Sequence, residues 1–217
     1  MRVGILGSGL MGGKLGTIFA RAGHEVTFSY ARSEQKLKAL ARDAGDKARY
    51  GKPRQAAEAD AVLLAVHWSR VDEVLDQAGN LPRGVVVTCS LPMNDDDSDL
   101  VIGHAASGAE ELQKKIPKAQ VVAAFNTVPS EVLPGVYAAR RRARRPSMVC
   151  CGRPRGRQGA RRRARSRRGI HARGCRSAAH RALCRTVRPP GRPARIQRSG
   201  RSRARLSVRT VGLAGWR

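Results

Sequence analysis

The stretch "RVGILGSGLMGGKLGTIFARAG", from Arg2 to Gly23, constrains the fold of this chain more than any other. A short apolar run ends on Gly7, and beyond it Leu10, Leu15, Ile18 and Phe19 fall at helical spacing until Gly23 supplies a stop. The pattern predicts a strand, a tight turn and a helix. Gly7, Gly9 and Gly12 stand in the G-x-G-x-x-G arrangement within that turn, with Ser8, Leu10 and Met11 between them. Gly7 permits the turn, Gly9 lets backbone approach a pyrophosphate, and Gly12 lets the helix lie close to the strand. The first helical N–H groups then meet the phosphates. Six such residues alone are weak evidence; a strand before them and a helix after them make the signal specific.

The same grammar continues. "HEVTFSY" (His24 to Tyr30) reads as a second strand, and "SEQKLKALARDAG" as a helix capped by Ser33 and ended by Gly45. "DAVLLAV" (Asp60 to Val66) is almost wholly apolar, as expected of a strand covered on both faces. A helix at Arg70 to Ala78, a strand at Gly84 to Ser90, a helix at Ala109 to Lys115 and strands at Gln120 to Asn126 and Ser147 to Gly152 complete the series. Strands alternating with amphipathic helices predict an α/β fold, a doubly wound parallel sheet of the Rossmann type, over residues 1–152.

The end of the second strand selects the dinucleotide. An NAD site usually places a carboxylate there for the ribose 2′-OH, whereas this chain has "SYARSEQK" with no acid before Glu34. Arg32 offers a planar cation to a 2′-phosphate, Ser29 and Ser33 offer hydroxyls, and Lys36 adds charge one turn on. NADP is therefore expected rather than NAD; the plainer alternative makes Arg32 and Lys36 a solvated helix start. "AVHWSR" places Val66, His67 and Trp68 at a strand's carboxyl end, where ligands of such sheets bind. Simple packing explains a Trp at such a junction equally well. No partner for His67 as a general acid can be named from sequence, so no catalytic residue is assigned. Asp95, Asp96, Asp97 and Asp99 lack the alternate-residue pattern of a calcium loop and read as a solvated loop. The five cysteines, none in a C-x-x-C pair, suggest neither a disulfide framework nor a zinc site.

The net charge of +27 is unevenly distributed. Residues 1–152 hold 21 Lys and Arg against 16 Asp and Glu, whereas residues 153–217 hold 22 Arg and no Lys, Asp or Glu. Only eight of those last 65 residues are Leu, Ile, Val or Phe, too few to offset the backbone entropy of folding, so a disordered Arg-rich tail is expected there. A basic arm for nucleic acid is one reading, bound through counterion release; the scarcity of aromatic stacking residues speaks against it. The glycine-broken N-terminus does not read as a signal peptide, and no apolar run approaches the roughly 20 residues of a membrane span. A cytoplasmic location without membrane contact is the corresponding expectation.

Taken with these residues, "MRVGILGSGLMGGKLG", "GHEVTFSYARS", "AVLLAVHW" and "VVAAFNTVPSEVL" resemble the NADP oxidoreductases that use the deazaflavin coenzyme F420, over Met1 to about Gly152. The resemblance implies hydride transfer between NADP(H) and coenzyme F420 as co-substrate. It implies that Gly7 to Gly12 hold the pyrophosphate, that Ser29, Arg32 and Ser33 hold the 2′-phosphate, and that Asn126, Thr127 and Pro129 lie near the nicotinamide. Asn126 to Pro129 also suits a plain turn. The family is dimeric by the same resemblance. A different NADPH-dependent reductase, acting on an imine or a metal chelate, remains the alternative on this domain.

Nothing after Gly152 resembles that family as written. Abundant Arg, Pro, Gly, Ala and Ser without acids is what a GC-rich gene spells out of register. With one base removed in the Gly152 codon, synonymous codons allow the tail to spell a string containing VDAGPLRIARYVEP and, near its end, ELAYRFERLGW, which fits the family's C-terminal part. A frameshift near Gly152 is accordingly expected, with weak NADP binding and little catalysis in the chain as written.

Overall fold

The structure, a computed structural model, describes residues 1–79, 81, 84–103, 105–140 and 148–152. Arg2–Leu6 forms β1, Leu10–Arg21 α1 and Glu25–Ser29 β2, followed by Glu34–Ala44 (α2), Ala48–Tyr50 (β3), Pro53–Ala57 (α3) and Ala61–Leu64 (β4). A 3-10 turn at Trp68–Arg70 leads into Val71–Ala78 (α4), Val85–Thr88 (β5), Gly108–Lys115 (α5) and Gln120–Ala124 (β6). A second 3-10 turn at Ser130–Val132 precedes Leu133–Ala138 (α6) and Cys150–Gly152 (β7).

The strands form one sheet in the order β3-β2-β1-β4-β5-β6-β7. The first six run parallel, with Ile5 opposite both Phe28 and Leu63. This is the doubly wound α/β arrangement that the apolar alternation predicts. The last strand departs from the parallel pattern: β7 runs antiparallel to β6, Cys151 opposite Ala123, and Met148 and Val149 precede it outside the strand, Ser147 lying outside the described residues. Three elements are absent from the sequence reading. They are β3, three residues long and half exposed, and the short helices α3 and α6.

Alternate residues of each strand feed two cores. Val3, Ile5, Phe28 and Leu63 pack with Leu15, Ile18 and Phe19 of α1 and Leu37 of α2 on one face. Leu6, Val62, Leu64 and Val86 pack with Val71 and Val74 of α4 and Leu112 of α5 on the other. Phe19, Phe28, Ile5 and Leu15 have no exposed surface, and burial of each such side chain contributes about 1.5 to 3 kcal/mol. Ser33 caps α2 by accepting the Lys36 N–H at 3.3 Å. Ser107 and Glu110 form a reciprocal capping box on α5.

The sheet changes direction of growth at β1, between β2 and β4, where the connecting segments diverge and leave a crevice at the carboxyl edge. Three of the backbone positions at positive φ follow strands on that edge: Gly7 at 106°, Tyr30 at 54° and Phe125 at 67°. For a bulky residue this conformation costs on the order of 1 kcal/mol, and such positions gather at ligand sites. No helix among the described residues is long and apolar enough to cross a membrane. The expected second segment, 153–217, and its expected lack of order lie outside the described residues.

Candidate functional site

The glycine turn is built from β1, α1 and the neighbouring strand ends. The Gly7 N–H donates to Ser29 O at 3.2 Å and the Ser8 N–H to Tyr30 O at 2.9 Å, which pins the turn against the end of β2. A Cβ on Gly7 would lie 2.4 Å from Ala65 O, and one on Gly12 1.8 Å from Gly7 O, so both positions are closed by backbone. Gly9 differs: a Cβ there would meet nothing within 4 Å. That open space stands before the start of α1, where Gly9 carries no side-chain cap and the first intrahelical acceptor is filled only at Gly13 N–H to Gly9 O, 2.9 Å. The N–H groups of Leu10, Met11 and Gly12 therefore lack intrahelical acceptors. This arrangement suits a pyrophosphate: backbone donors, a positive helix end and room for approach. The side chain of Leu10 is 72% exposed, so its part in such a site is its backbone.

Beside the end of β2 lies a cleft of about 1140 Å³, walled by Tyr30, Ala31, Arg32, Tyr50, Lys52, His67, Arg70 and Glu73 among others. Arg32 lines it and Ser33 follows at the mouth of α2. Lys36 is exposed on the first turn of α2 and does not line the cleft. Ser29, grouped with Arg32 by the sequence reading, sits elsewhere. It is wholly buried, and its hydroxyl donates to Ile5 O at 2.7 Å, so this side chain is turned into the sheet and not toward the cleft. Ser29 closes β2 opposite Leu6, which brings its hydroxyl against the β1 backbone.

The far wall of the cleft belongs to α4. Arg70 Nη1 donates to Glu73 Oε2 at 2.9 Å, and Gln77 Nε2 donates to Glu73 Oε1 at 3.2 Å. The neighbouring Tyr30 hydroxyl, and then Arg70, hold that carboxyl below its ordinary range. Burial, then the Glu73 carboxylate, pushes the Tyr30 phenol upward. A Tyr–Glu–Arg bridge thus spans from the end of β2 to the start of α4. Sequence reasoning missed Tyr50, Lys52, Arg70 and Glu73; the first ends the short strand β3 and the second lies just beyond it, and three residues give no period-two signal.

A second cluster ties the ends of β4, β5 and β6. Ser90 Oγ donates to Val66 O at 2.6 Å, and Asn126 Nδ2 donates to Ser90 O at 3.3 Å. Ser90 is buried and was not anticipated as a link. Thr127 and Pro129 are exposed beyond it, on the turn closed by Val128 N–H to Phe125 O at 3.2 Å. His67 has both ring nitrogens engaged: Nδ1 lies 2.9 Å from Ser69 Oγ and Nε2 3.1 Å from Asp97 Oδ1. Thirty residues separate His67 from Asp97, which is why sequence offered it no partner. Its geometry is that of a pin between the turn after β4 and the aspartate loop. Asp96 in that loop accepts from Ser98 N–H at 3.1 Å and Ser98 Oγ at 2.7 Å. Trp68 is partly buried against the second core and beside Gly108, where an added Cβ would lie 3.3 Å from its ring.

The predicted residues therefore gather along one carboxyl edge, with Ser29 turned inward. Arg32 and Ser33 stand toward the β2 end, the glycine turn at the centre, and Val66, His67, Trp68 and Asn126 toward the β4 to β6 ends.

Residues 2–92 match the family model of NADP oxidoreductase, coenzyme F420-dependent. No curated protein matches the chain. Among solved structures, a candidate F420-dependent NADP reductase from Arthrobacter sp. FB24 aligns over 71% of this chain and 74% of its own, at 21% identity and TM-score 0.61. The hypothetical protein SMa0349 from Sinorhizobium meliloti aligns over 61% of this chain and 64% of its own, at 24% identity and TM-score 0.54. A 3-hydroxyisobutyrate dehydrogenase from Salmonella typhimurium aligns over 71% of this chain but 48% of its own, at 19% identity and TM-score 0.50. At these identities the likeness establishes the fold.

Proposed function

With residues 2–92 carrying the domain of the coenzyme F420-dependent NADP oxidoreductases, we propose that this chain binds NADP(H) along the carboxyl edge of its sheet and serves hydride transfer to or from the deazaflavin coenzyme F420. The observation that carries the reading is the open position at Gly9 before the uncapped start of α1, walled on either side by glycines whose own Cβ positions are filled by backbone. Backbone N–H groups of Leu10, Met11 and Gly12 would hold the pyrophosphate, and Arg32 and Ser33 the 2′-phosphate. Asn126, held by Ser90, would place the segment Asn126 to Pro129 along the nicotinamide.

The nicotinamide supplies a hydride at C4 when bound. The chain's contribution is alignment: Ser90 fixes the spacing of β4 and β6 ends, and His67 fixes the aspartate loop beside them. With both ring nitrogens occupied by Ser69 and Asp97, His67 orients a loop. Direct hydride transfer between two aligned rings needs little acid–base apparatus.

The Arg-rich segment from Arg153 onward is proposed to be sequence read out of register, which leaves the second-substrate side of the pocket unwritten in this chain. Titration of the chain with NADPH and with NADH tests the cofactor reading. Selective binding of NADPH, weaker than that of an intact reductase, is expected; equal affinity for both would overturn it.

A further inference from the structure

The cations around the β2-side cleft are not equivalent. Arg70 Nη1 is held by Glu73 at 2.9 Å, and Lys38 Nζ by Glu34 Oε1 at 2.9 Å. Arg32 and Lys52 line the same cleft, and among the described residues neither side chain is in an ion pair. The backbone that carries Lys52 is also fixed in place. The Gly51 N–H donates to Phe28 O at 2.9 Å, which locks the end of β3 beside β2, and the Lys52 N–H donates to Gln55 Oε1 at 2.8 Å, which holds the turn into α3 before Pro53.

We infer that Lys52 is the second cation of the 2′-phosphate site, facing Arg32 across the end of β2, and that it sets the preference for NADP(H) over NAD(H). This rests on the NADP reading above. A 2′-phosphate carries close to two negative charges near neutral pH, which a single exposed guanidinium offsets only in part. Glu34 also lines the cleft and would repel that phosphate, but its charge is offset by Lys38. Arg70, satisfied by Glu73, is the poorer candidate because recruiting it would leave a carboxylate facing the phosphate. A 2′-hydroxyl presents no charge to Lys52, so its contribution is absent for NAD(H).

The test titrates the full chain with NADPH and separately with NADH, for the wild type, Lys52→Met and Lys52→Arg. Lys52→Met is expected to weaken NADPH roughly tenfold and leave NADH unchanged, as loss of one charge-assisted contact does. Lys52→Arg is expected to keep most of the NADPH affinity, and added salt to weaken NADPH more in the wild type than in Lys52→Met. Unchanged NADPH affinity in Lys52→Met, or equal loss for both dinucleotides, overturns the inference and leaves the NADP reading standing. A wild-type chain that binds neither dinucleotide overturns both.

Discussion

Ser29 Oγ donates to Ile5 O at 2.7 Å and Ser29 O accepts from Ser8 Oγ at 2.9 Å, so one residue at the end of β2 stitches β1 and the glycine turn together. Its hydroxyl belongs to the sheet. Ser29→Ala is expected to lower stability by about 1 kcal/mol, the ordinary net value of a buried hydrogen bond, while leaving NADPH affinity within about twofold. Urea melts and cofactor titration of one preparation check both. Affinity lost with stability intact would place the hydroxyl at the 2′-phosphate instead.

Two glycines of the turn separate folding from binding. A Cβ at Gly12 would lie 1.8 Å from Gly7 O, whereas a Cβ at Gly9 meets nothing. Gly12→Ala should therefore disrupt packing of α1 on β1 and destabilise the domain by several kcal/mol, on the order of a severe overpacking substitution. Gly9→Ala, at φ −76° and ψ −154°, fits the backbone and should melt like the wild type, yet weaken NADPH at least about tenfold by filling the approach to the pyrophosphate. A Gly9→Ala chain with normal cofactor affinity would contradict the placement.

Much of this was legible in the sequence because the carriers are local. The glycine turn, the apolar strands β1, β4, β5 and β6, and the Ser33 cap are each defined by residues within a few positions of one another. What escaped depends on neighbours in space. Lys52 reaches the cleft only because β3 pairs with β2, and β3 is too short to declare itself. The pairing of His67 with Asp97 and of Asn126 with Ser90 bridges about thirty and thirty-six residues of sequence. Ser29 suits the cofactor edge by its place in the sequence, while the bond from its hydroxyl to Ile5 O depends on the pairing of β2 with β1.

Cys89, just past β5, is partly buried against the first core with its thiol 3.6 Å from Leu64 O. Burial pushes this thiol from its ordinary 9.0 up to about 12. The unfolded chain would release the Cys89 proton first as pH rises. The contribution of the buried thiol to stability is therefore fully present below pH 9.0 and declines as pH climbs toward about 12. Urea melts of the wild type and Cys89→Ala at about pH 8 and about pH 10.5 isolate the effect. The gap between the two proteins should shrink at the higher pH; a constant gap would mean that the thiol ionises alike in both states.

The proposed F420 reading and the proposed change of register are decided together by deazaflavin-dependent oxidation of NADPH, measured for the chain as written beside a chain that takes the other C-terminal frame by removal of one base in the Gly152 codon. Steady hydride transfer to coenzyme F420 is expected of the reframed chain, and NADPH binding with little turnover of the chain as written. A reframed chain that folds and binds NADPH but leaves it unoxidised in the presence of the deazaflavin would contradict both.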